Sequence, residues 1–434
     1  MIVDTIIFTL YKFILTVVFP LLGVFILGRI TWKLWIHYIQ QDFISGIEYV
    51  VLEIVPPREV LRSPKAMELF FTNALYHQSG KGGQEEYWQG AVHFWFSLEI
   101  ASIDGQVHFY VRVPTRIKSL VETQMYAQYP QAQVKVVEDY TLAIDEISEK
   151  SKWMAWGCEF KLEKPSAFPI RTYVDFGLDK DPKEEFKVDP ISPLIEFFGS
   201  IEKGEQAWLQ IVITPSHIYS TWKKYDWTAG SKEELKKLLR PFTSTRQSAD
   251  EPAHYGTEVR VPDSLKKVVE AVNNKTTKLG FDTGIRVMYV AKKEVYTVNR
   301  RKDIRLIFRQ YANPDSNQFG RHNSTQGDAL NSPIMGLSKK SVMVLANRML
   351  HEYQERGGFF YHMMRHRLFN EHNFPWAVNL LVKPFFLPYF HSTTFVLNTE
   401  ELATLWHFPG QMLKVPTLTR IESKEAAPPP NLPQ

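Results

Sequence analysis

The chain has 434 residues, more than one ordinary domain holds, and that length points to about two or three domains. Hydrophobic residues make up 44% and aromatics 14%, enough to build packed cores, while a net charge of +4 excludes the concentrated positive charge of a dedicated nucleic-acid binder. A lone cysteine, Cys158, excludes an intramolecular disulfide, fits a reducing compartment and reads as a small core residue.

Residues 5–30 are almost wholly apolar, with Lys12 the one charge before Arg29. A helix crossing the hydrocarbon core needs about 20 such residues, so this stretch is long enough to span. Its first charge is Asp4 and it exits through Arg29, Trp32, Lys33 and Trp35, an aromatic and basic collar. That pattern predicts an uncleaved single-pass anchor in the bilayer of the cytoplasmic membrane. The excess of basic residues after it places the N-terminus outside and the body in the cytoplasm.

After the anchor the elements follow in a readable order. Residues 47–57 alternate as a strand does, and Ser63-Pro64 opens a helix running to about Gln78. Two strands, 87–103 and 106–114, meet across Asp104-Gly105, a hairpin signal. A helix over 115–129 stops at Pro130, and 132–140 is a further strand. This β-α-β-β-α-β order is that of a ferredoxin-like domain. The order recurs: strand 153–162, helix 192–201, strands 206–214 and 284–291, and helix 300–311. Charged helices at 232–240 and 264–279 interrupt the repeat, and their lysines read as solvated faces. Residues 394–397 are the candidate closing strand, after a helical stretch over 339–369. Residues 374–390 are aromatic but broken by Pro375, Pro384 and Pro388, too short in each piece to cross a membrane. The last residues, 426–434, form a polyproline-type tail.

The expected fold class is therefore α+β: an N-terminal transmembrane helix followed by two ferredoxin-like (βαββαβ) units, the second with helical insertions. The expected domains are 1–40 (anchor and juxtamembrane helix), 45–148, 149–400, and 401–434, a C-terminal docking segment with the Pro-rich tail.

Catalytic signatures fail one by one. Gly80-Lys81 lacks the preceding glycine and following hydroxyl of a P-loop, so the 142–146 stretch with Asp145 and Glu146 reads as a surface acidic turn rather than a Walker B end. His362 with His366, and His351 with Glu355, have one-turn spacing, but metal binding needs three or four converging ligands, and His366 lies between arginines. A basic face at 361–367 suits a partner or acidic lipid heads. No catalytic, cofactor-binding or metal-ligating residue is nominated, no cofactor is expected, and the chain is expected not to be an enzyme. One nucleic-acid reading remains: His108, Tyr110 and Arg112 share a face of one strand, as base-stacking side chains do in RNA-binding ferredoxin-like domains.

Several phrases together carry a resemblance. They are Val51-Leu52-Glu53-Ile54 with Pro56-Pro57, Ser63-Pro64-Lys65-Ala66-Met67-Glu68, Phe96-Ser97-Leu98-Glu99, and the strand from Val107 to Pro114 leading into Tyr129-Pro130-Gln131-Ala132 and Glu138-Asp139-Tyr140. Gly204-Glu205 with Trp208-Leu209-Gln210-Ile211 follows, and then the stretch from Leu397 to Pro409 with its Glu-Glu-Leu-Ala-Thr and His-Phe-Pro. Together they resemble the membrane-anchored, non-motor N-terminal region of conjugative type IV secretion ATPases of the HerA–FtsK superfamily, over nearly the whole chain. In such proteins a Pro-rich stretch like 428–433 leads into the motor domain, whereas this sequence ends at Gln434. The resemblance implies a non-catalytic, membrane-anchored adaptor of a DNA-transfer or secretion machine. It further implies a separate motor ATPase in trans, contacted by 397–409, and a homo-oligomer. The rival reading is a membrane-tethered protein that binds DNA or another nucleic acid.

Overall fold

A computed structural model describes all residues except 1, 58–59, 61, 77–81, 180–187, 217, 220–223, 241–261, 326–338, 361–391 and 411–434. The basic face at 361–367, the aromatic stretch 374–390 and the tail 426–434 thus lie outside the described residues, as does Gly80-Lys81.

The described chain forms two compact units. Among the described residues, the first holds 2–48 and 82–93. Its core is one uninterrupted helical run: α1 (Ile2–Phe13), a π-helical turn (Ile14–Val18) and α2 (Phe19–Ser45). The run extends well past the anchor read from sequence, because Leu34, Ile36, His37, Ile39 and neighbouring residues keep good helix formers without a breaker until Gly46. One helical stretch here is long and apolar enough to cross a membrane, and none of its most apolar window is buried. A short helix, α3 (Gly83–Tyr87), ends where the sequence suggested that a strand begins, and that strand starts only at Phe96.

The second unit is a mixed α+β body around a large antiparallel sheet. Its elements are β1 (Tyr49–Val55), α4 (Lys65–Phe70), β2 (Phe96–Ile103), β3 (Gln106–Pro114), α5 (Lys118–Gln128), β4 (Gln133–Val137) and β5 (Trp153–Leu162). Then come α6 (Ser192–Gly199), β6 (Glu205–Pro215), the two-residue strands β7 (Ile218–Tyr219) and β8 (Lys224–Tyr225), α7 (Trp227–Leu239), α8 (Asp263–Thr276) and β9 (Gly280–Lys292). The last are α9 (Arg300–Ile307), β10 (Phe319–Ser324), α10 (Lys339–Glu355), β11 (Phe395–Asn398) and α11 (Thr399–Leu405).

The main sheet runs β10-β5-β9-β6-β2-β3-β1-β4. Its two halves meet where β2 pairs with β6 along the full length of β2, Phe96 opposite Ile213 to Ile103 opposite Gln206. Helices α4, α5, α6, α9 and α11 bury one face over Leu98, Phe109, Leu209 and Val287. Helix α10 and residues 144–147 cover the other, over Ala101, Trp208, Met288 and Val290. Central strands covered on both faces need apolar residues on both, which is why β6 and β9 read as near-continuous apolar runs. Two glycines admit the close approach on the second face. A Cβ on Gly157 would meet Met349 Sδ at 2.4 Å, and one on Gly284 would strike the Phe359 ring at 2.3 Å.

One sequence expectation, the closing strand of the second unit, is corrected here. The strand beside β5 is β10, whose register shifts between Arg321 and Ser324, not residues 394–397. β11 instead extends the start of β9, Leu397 opposite Phe281. The start of the expected docking segment lies within the body: Leu402, Ala403, Leu405, Trp406, His407 and Phe408 are all buried. Trp406 packs on Phe71, Phe109 and Phe408, and its indole N–H donates to the Glu99 carbonyl at 3.2 Å. His407 Nε2 pairs with Asp189 at 2.9 Å. An apolar helix end with an adjacent tryptophan gains more from this burial than exposure would allow. Trp406→Ala is accordingly expected to cost about 3–5 kcal/mol, seen as a lowered thermal midpoint of the detergent-solubilised chain. A midpoint within a degree or two of the parent would contradict the placement.

Candidate functional site

Each inner strand carries one polar residue near its middle on the face beneath α10. Register places these residues in a single row. Lys135 of β4 lies opposite Glu53 of β1, and Glu53 opposite Tyr110 of β3. Tyr110 faces Glu99 of β2, and Glu99 faces Gln210 of β6. Gln210 then faces Arg286 of β9, and Arg286 faces Glu159 of β5. Directly opposed residues of antiparallel strands share a face, so the row is one continuous polar line. Its central members, Glu99, Gln210, Arg286 and Glu159, are completely buried.

Buried charge survives only when paired and hydrogen-bonded, and α10 supplies the partners. Arg356, just past its last turn, donates Nε to Glu99 Oε1 at 2.9 Å and Nη2 to Glu99 Oε2 at 3.1 Å. The same guanidinium holds Asp139 through both terminal nitrogens. Glu352 accepts from Arg286 Nη2 at 3.1 Å, and Arg286 is paired again with Glu159 at 2.6 Å. Between the two ion clusters, Gln210 Nε2 donates to the Tyr353 carbonyl at 2.9 Å and to Glu99 at 3.2 Å. Tyr140 donates to Glu99 at 2.8 Å and meets the Tyr353 hydroxyl at 2.9 Å. Asn323 and Ser392 complete the shell of Glu159. One helix end therefore grips β2 in one half of the sheet and β9 in the other.

Electrostatics follow from this geometry. Burial disfavours the Arg356 charge, but Glu99 and Asp139 outweigh it and raise its pKa. Burial pushes the Asp139 carboxyl up, yet Arg356 and the Thr141 hydrogen bonds hold it below the usual carboxylate range. Glu352 goes the other way: burial raises it against the pull of Arg286. Asp282, further along β9 on the same face, has among the described residues one hydrogen bond, from Ser216 at 3.5 Å, and burial pushes it up to about 7.

A second cluster ties the inserted helices to the C-terminal segment. Lys275 of α8 is fully buried, with Nζ 2.9 Å from Glu401 and 3.1 Å from the Val396 carbonyl. Glu401 is also the capping-box residue of α11, exchanging hydrogen bonds with Asn398. Lys278 bridges Glu400 and Glu68. The reading of the inserted lysine runs as solvated faces thus fails for Lys275, while Lys278 is half-buried between its two carboxylates. That reading describes Lys237 and Lys266, whose side chains are well exposed.

The residues singled out from sequence fall as follows. His108, Tyr110 and Arg112 do share a face, but Tyr110 is stacked under Tyr140 at 4.7 Å and His108 is bonded to Glu53 at 2.6 Å. Arg112 lies 3.9 Å over the Tyr49 ring. No ring of this trio is open to a base as the chain is folded. His351 and Glu355 lie on the exposed side of α10, and Asp145 and Glu146 on an exposed turn. His362 and His366 are outside the described residues. Cys158 is completely buried, and burial raises its thiol. Among the described residues, no group of three or more His, Cys, Asp or Glu is placed to hold a metal ion.

The row itself went unseen in sequence. Its signal is present: Glu53, Glu99, Glu159, Gln210 and Arg286 each interrupt an apolar stretch near the middle of a strand. Only register shows that they stand side by side.

Fold and site together define the class: an antiparallel α+β body whose halves are clamped by buried ion pairs, in a chain with an apolar N-terminal helix. Residues 93–419 match the family model described as "Domain of unknown function (DUF8128)", and the chain belongs to that family. No curated protein matches it.

Two outcomes follow. Removing one partner of a buried pair strands the other, so Arg356→Ala is expected to cost about 3–5 kcal/mol, measurable by denaturant unfolding. A loss under about 1 kcal/mol would show the clamp to be idle. The Asp282 contribution has the opposite sign from that of a salt-bridged acid. Its raised pKa disfavours the ionised folded form, so the destabilisation is absent below the unfolded carboxylate pKa of about 4, grows as pH rises from there, and is complete above about 7. Asp282→Asn should therefore raise the thermal midpoint above pH 7, by roughly 1–3 kcal/mol equivalent, by less at mildly acidic pH, and hardly at all below about pH 4.

Proposed function

We propose that this chain is a membrane-anchored, non-catalytic assembly component of a DNA-transfer or secretion machine, working with a separate motor ATPase. The observation that carries the reading is the doubled strand order of the body. In chain order, β1, β2, β3 and β4 lie in the sheet as 4-1-3-2, and β5, β6, β9 and β10 do the same. All neighbours are antiparallel, with α4 and α5 as the crossovers of the first set and α6 and α9 of the second. This order supports two ferredoxin-like units joined edge to edge through β2 and β6. It supports in turn the resemblance to the non-motor region of conjugative type IV secretion ATPases.

The helix over residues 2–45 serves as the single-pass tether. Its basic exit at Arg29 and Lys33 favours the N-terminus outside and the body in the cytoplasm. Burial of residues 397–408 moves the expected motor contact off that segment as folded. Residues 411–434, immediately downstream, are the better candidate in this reading.

The test is affinity purification of the full chain from native membranes in mild detergent, beside a chain ending at Gly410, with bound proteins identified by mass spectrometry. An ATPase with Walker motifs should accompany the full chain and be depleted from the shortened one. Recovery of no such ATPase with either chain would sink the adaptor reading. Equal recovery with both would move the contact into the body.

A further inference from the structure

We propose that residues 82–91 fold back beside α2 to complete an aromatic belt that seats this unit in the headgroup layer of the bilayer. The inference rests on the anchor reading and extends it to a segment about fifty residues downstream of the collar. Trp32, Trp35 and Tyr38 stand at three-residue spacing, one stripe of the helix. Against that stripe lies Tyr87, its ring 6.0 Å from Trp32, while its carbonyl accepts the Trp35 indole N–H at 3.4 Å. The Trp88 ring stands 6.4 Å from Trp35, edge to face.

The contact is built rather than incidental. Gly90 has a φ of +67° and sits so close to the helix that a Cβ there would lie 2.2 Å from the Ile39 carbonyl oxygen. Only glycine allows the segment to reach the helix backbone there, and that approach fixes the level of Trp88. Packing does not hide the aromatics. Trp32, Trp35, Tyr38 and Trp88 remain 49%, 40%, 66% and 67% exposed. Large amphipathic rings left open at one level, roughly 5–14 Å of helix rise beyond Arg29, match the depth at which tryptophan and tyrosine prefer a membrane interface.

Charge argues for lipid of ordinary composition rather than an anionic patch. The two basic residues Arg29 and Lys33 are matched in number by Glu85 and Glu86 of the folded-back segment, and Glu85 accepts the Gly82 amide at 3.1 Å. The seat is therefore aromatic, and salt should not release it.

Cys158 is the chain's one cysteine and is buried, so an introduced surface cysteine can be labelled selectively. The full chain, reconstituted in phosphatidylcholine vesicles, would carry a polarity-sensitive fluorophore through Trp88→Cys or Tyr38→Cys. Val24→Cys reports the apolar helix and Leu142→Cys the body. Lipid bearing a nitroxide near its glycerol should quench the labels at 88 and 38 several-fold more than the label at 142, at low and high salt alike. A label at 88 that behaves like the one at 142, while the label at 24 is quenched by deeper nitroxides, overturns the belt and leaves the anchor standing. Shielding from water at 88 without lipid quenching overturns it too, in favour of a protein partner. No quenching at 24 removes the anchor itself.

Discussion

The body depends on a constraint set by antiparallel register: polar residues placed at the middle of successive strands must all emerge on one face in one line. A line of buried charge on a sheet is costly, since an unpaired buried ion costs several kcal/mol. Here the line alternates usefully, Glu99, Gln210, Arg286, Glu159, so that the β6–β9–β5 side is paired along the row and the β2 side is left needing a cation. Arg356 is that cation. Its backbone φ is +53°, in the left-handed region where a helix more often ends in glycine. Two glycines follow at once, yet the stop falls on arginine. The strain of that backbone, on the order of 1 kcal/mol, is offset by pairing with two carboxylates that no glycine could satisfy.

The same device explains why the two halves of the sheet behave as one body. β2 and β6 join the halves through a backbone ladder that a slip of two residues could nearly reproduce, with the Gln210–Glu99 side-chain bond across it. Such a slip would take Glu99 off Gln210 and move Arg286 away from Glu352. The ion pairs therefore fix the register that the ladder leaves degenerate, which is the best-attested use of buried polar groups. On the opposite face, Trp406 reaches the Glu99 backbone carbonyl, so the C-terminal segment fastens the same strand from behind.

Much of the fold was legible because local signals agreed with tertiary demands. β5 was read at its observed limits, and the Asp104-Gly105 hairpin formed where turn chemistry placed it, with φ of +52° and +86°. β10 was missed because Phe-Gly-Arg-His-Asn-Ser is a polar edge strand with a register shift, lacking alternation and β-branched residues. Thr-Glu-Glu-Leu-Ala-Thr was read as part of a docking segment, with no partner assigned to either glutamate. Glu401 is instead consumed by its own cap and by Lys275, a pairing across 126 residues that no local window contains. The polar row was illegible for a related reason: each member is unremarkable in its own strand, and its meaning lies in pairings set by six separate registers.

Closed faces also restrict where a partner can bind. With α10 on one side and five helices on the other, the centre of the sheet offers no platform for a base or a peptide strand, and Tyr110 is already stacked under Tyr140. Among the described residues, what remains is the outer side of the helices and the two sheet edges. β4 is the more open edge, with Gln133, Lys135 and Val136 exposed. An outward lysine in a short edge strand is a common guard against indiscriminate strand pairing. Within the described body the polar row beneath α10 is spent on its own ion pairs and the β4 edge carries its own guard, so both features act on the fold's register and on its pairing with other strands.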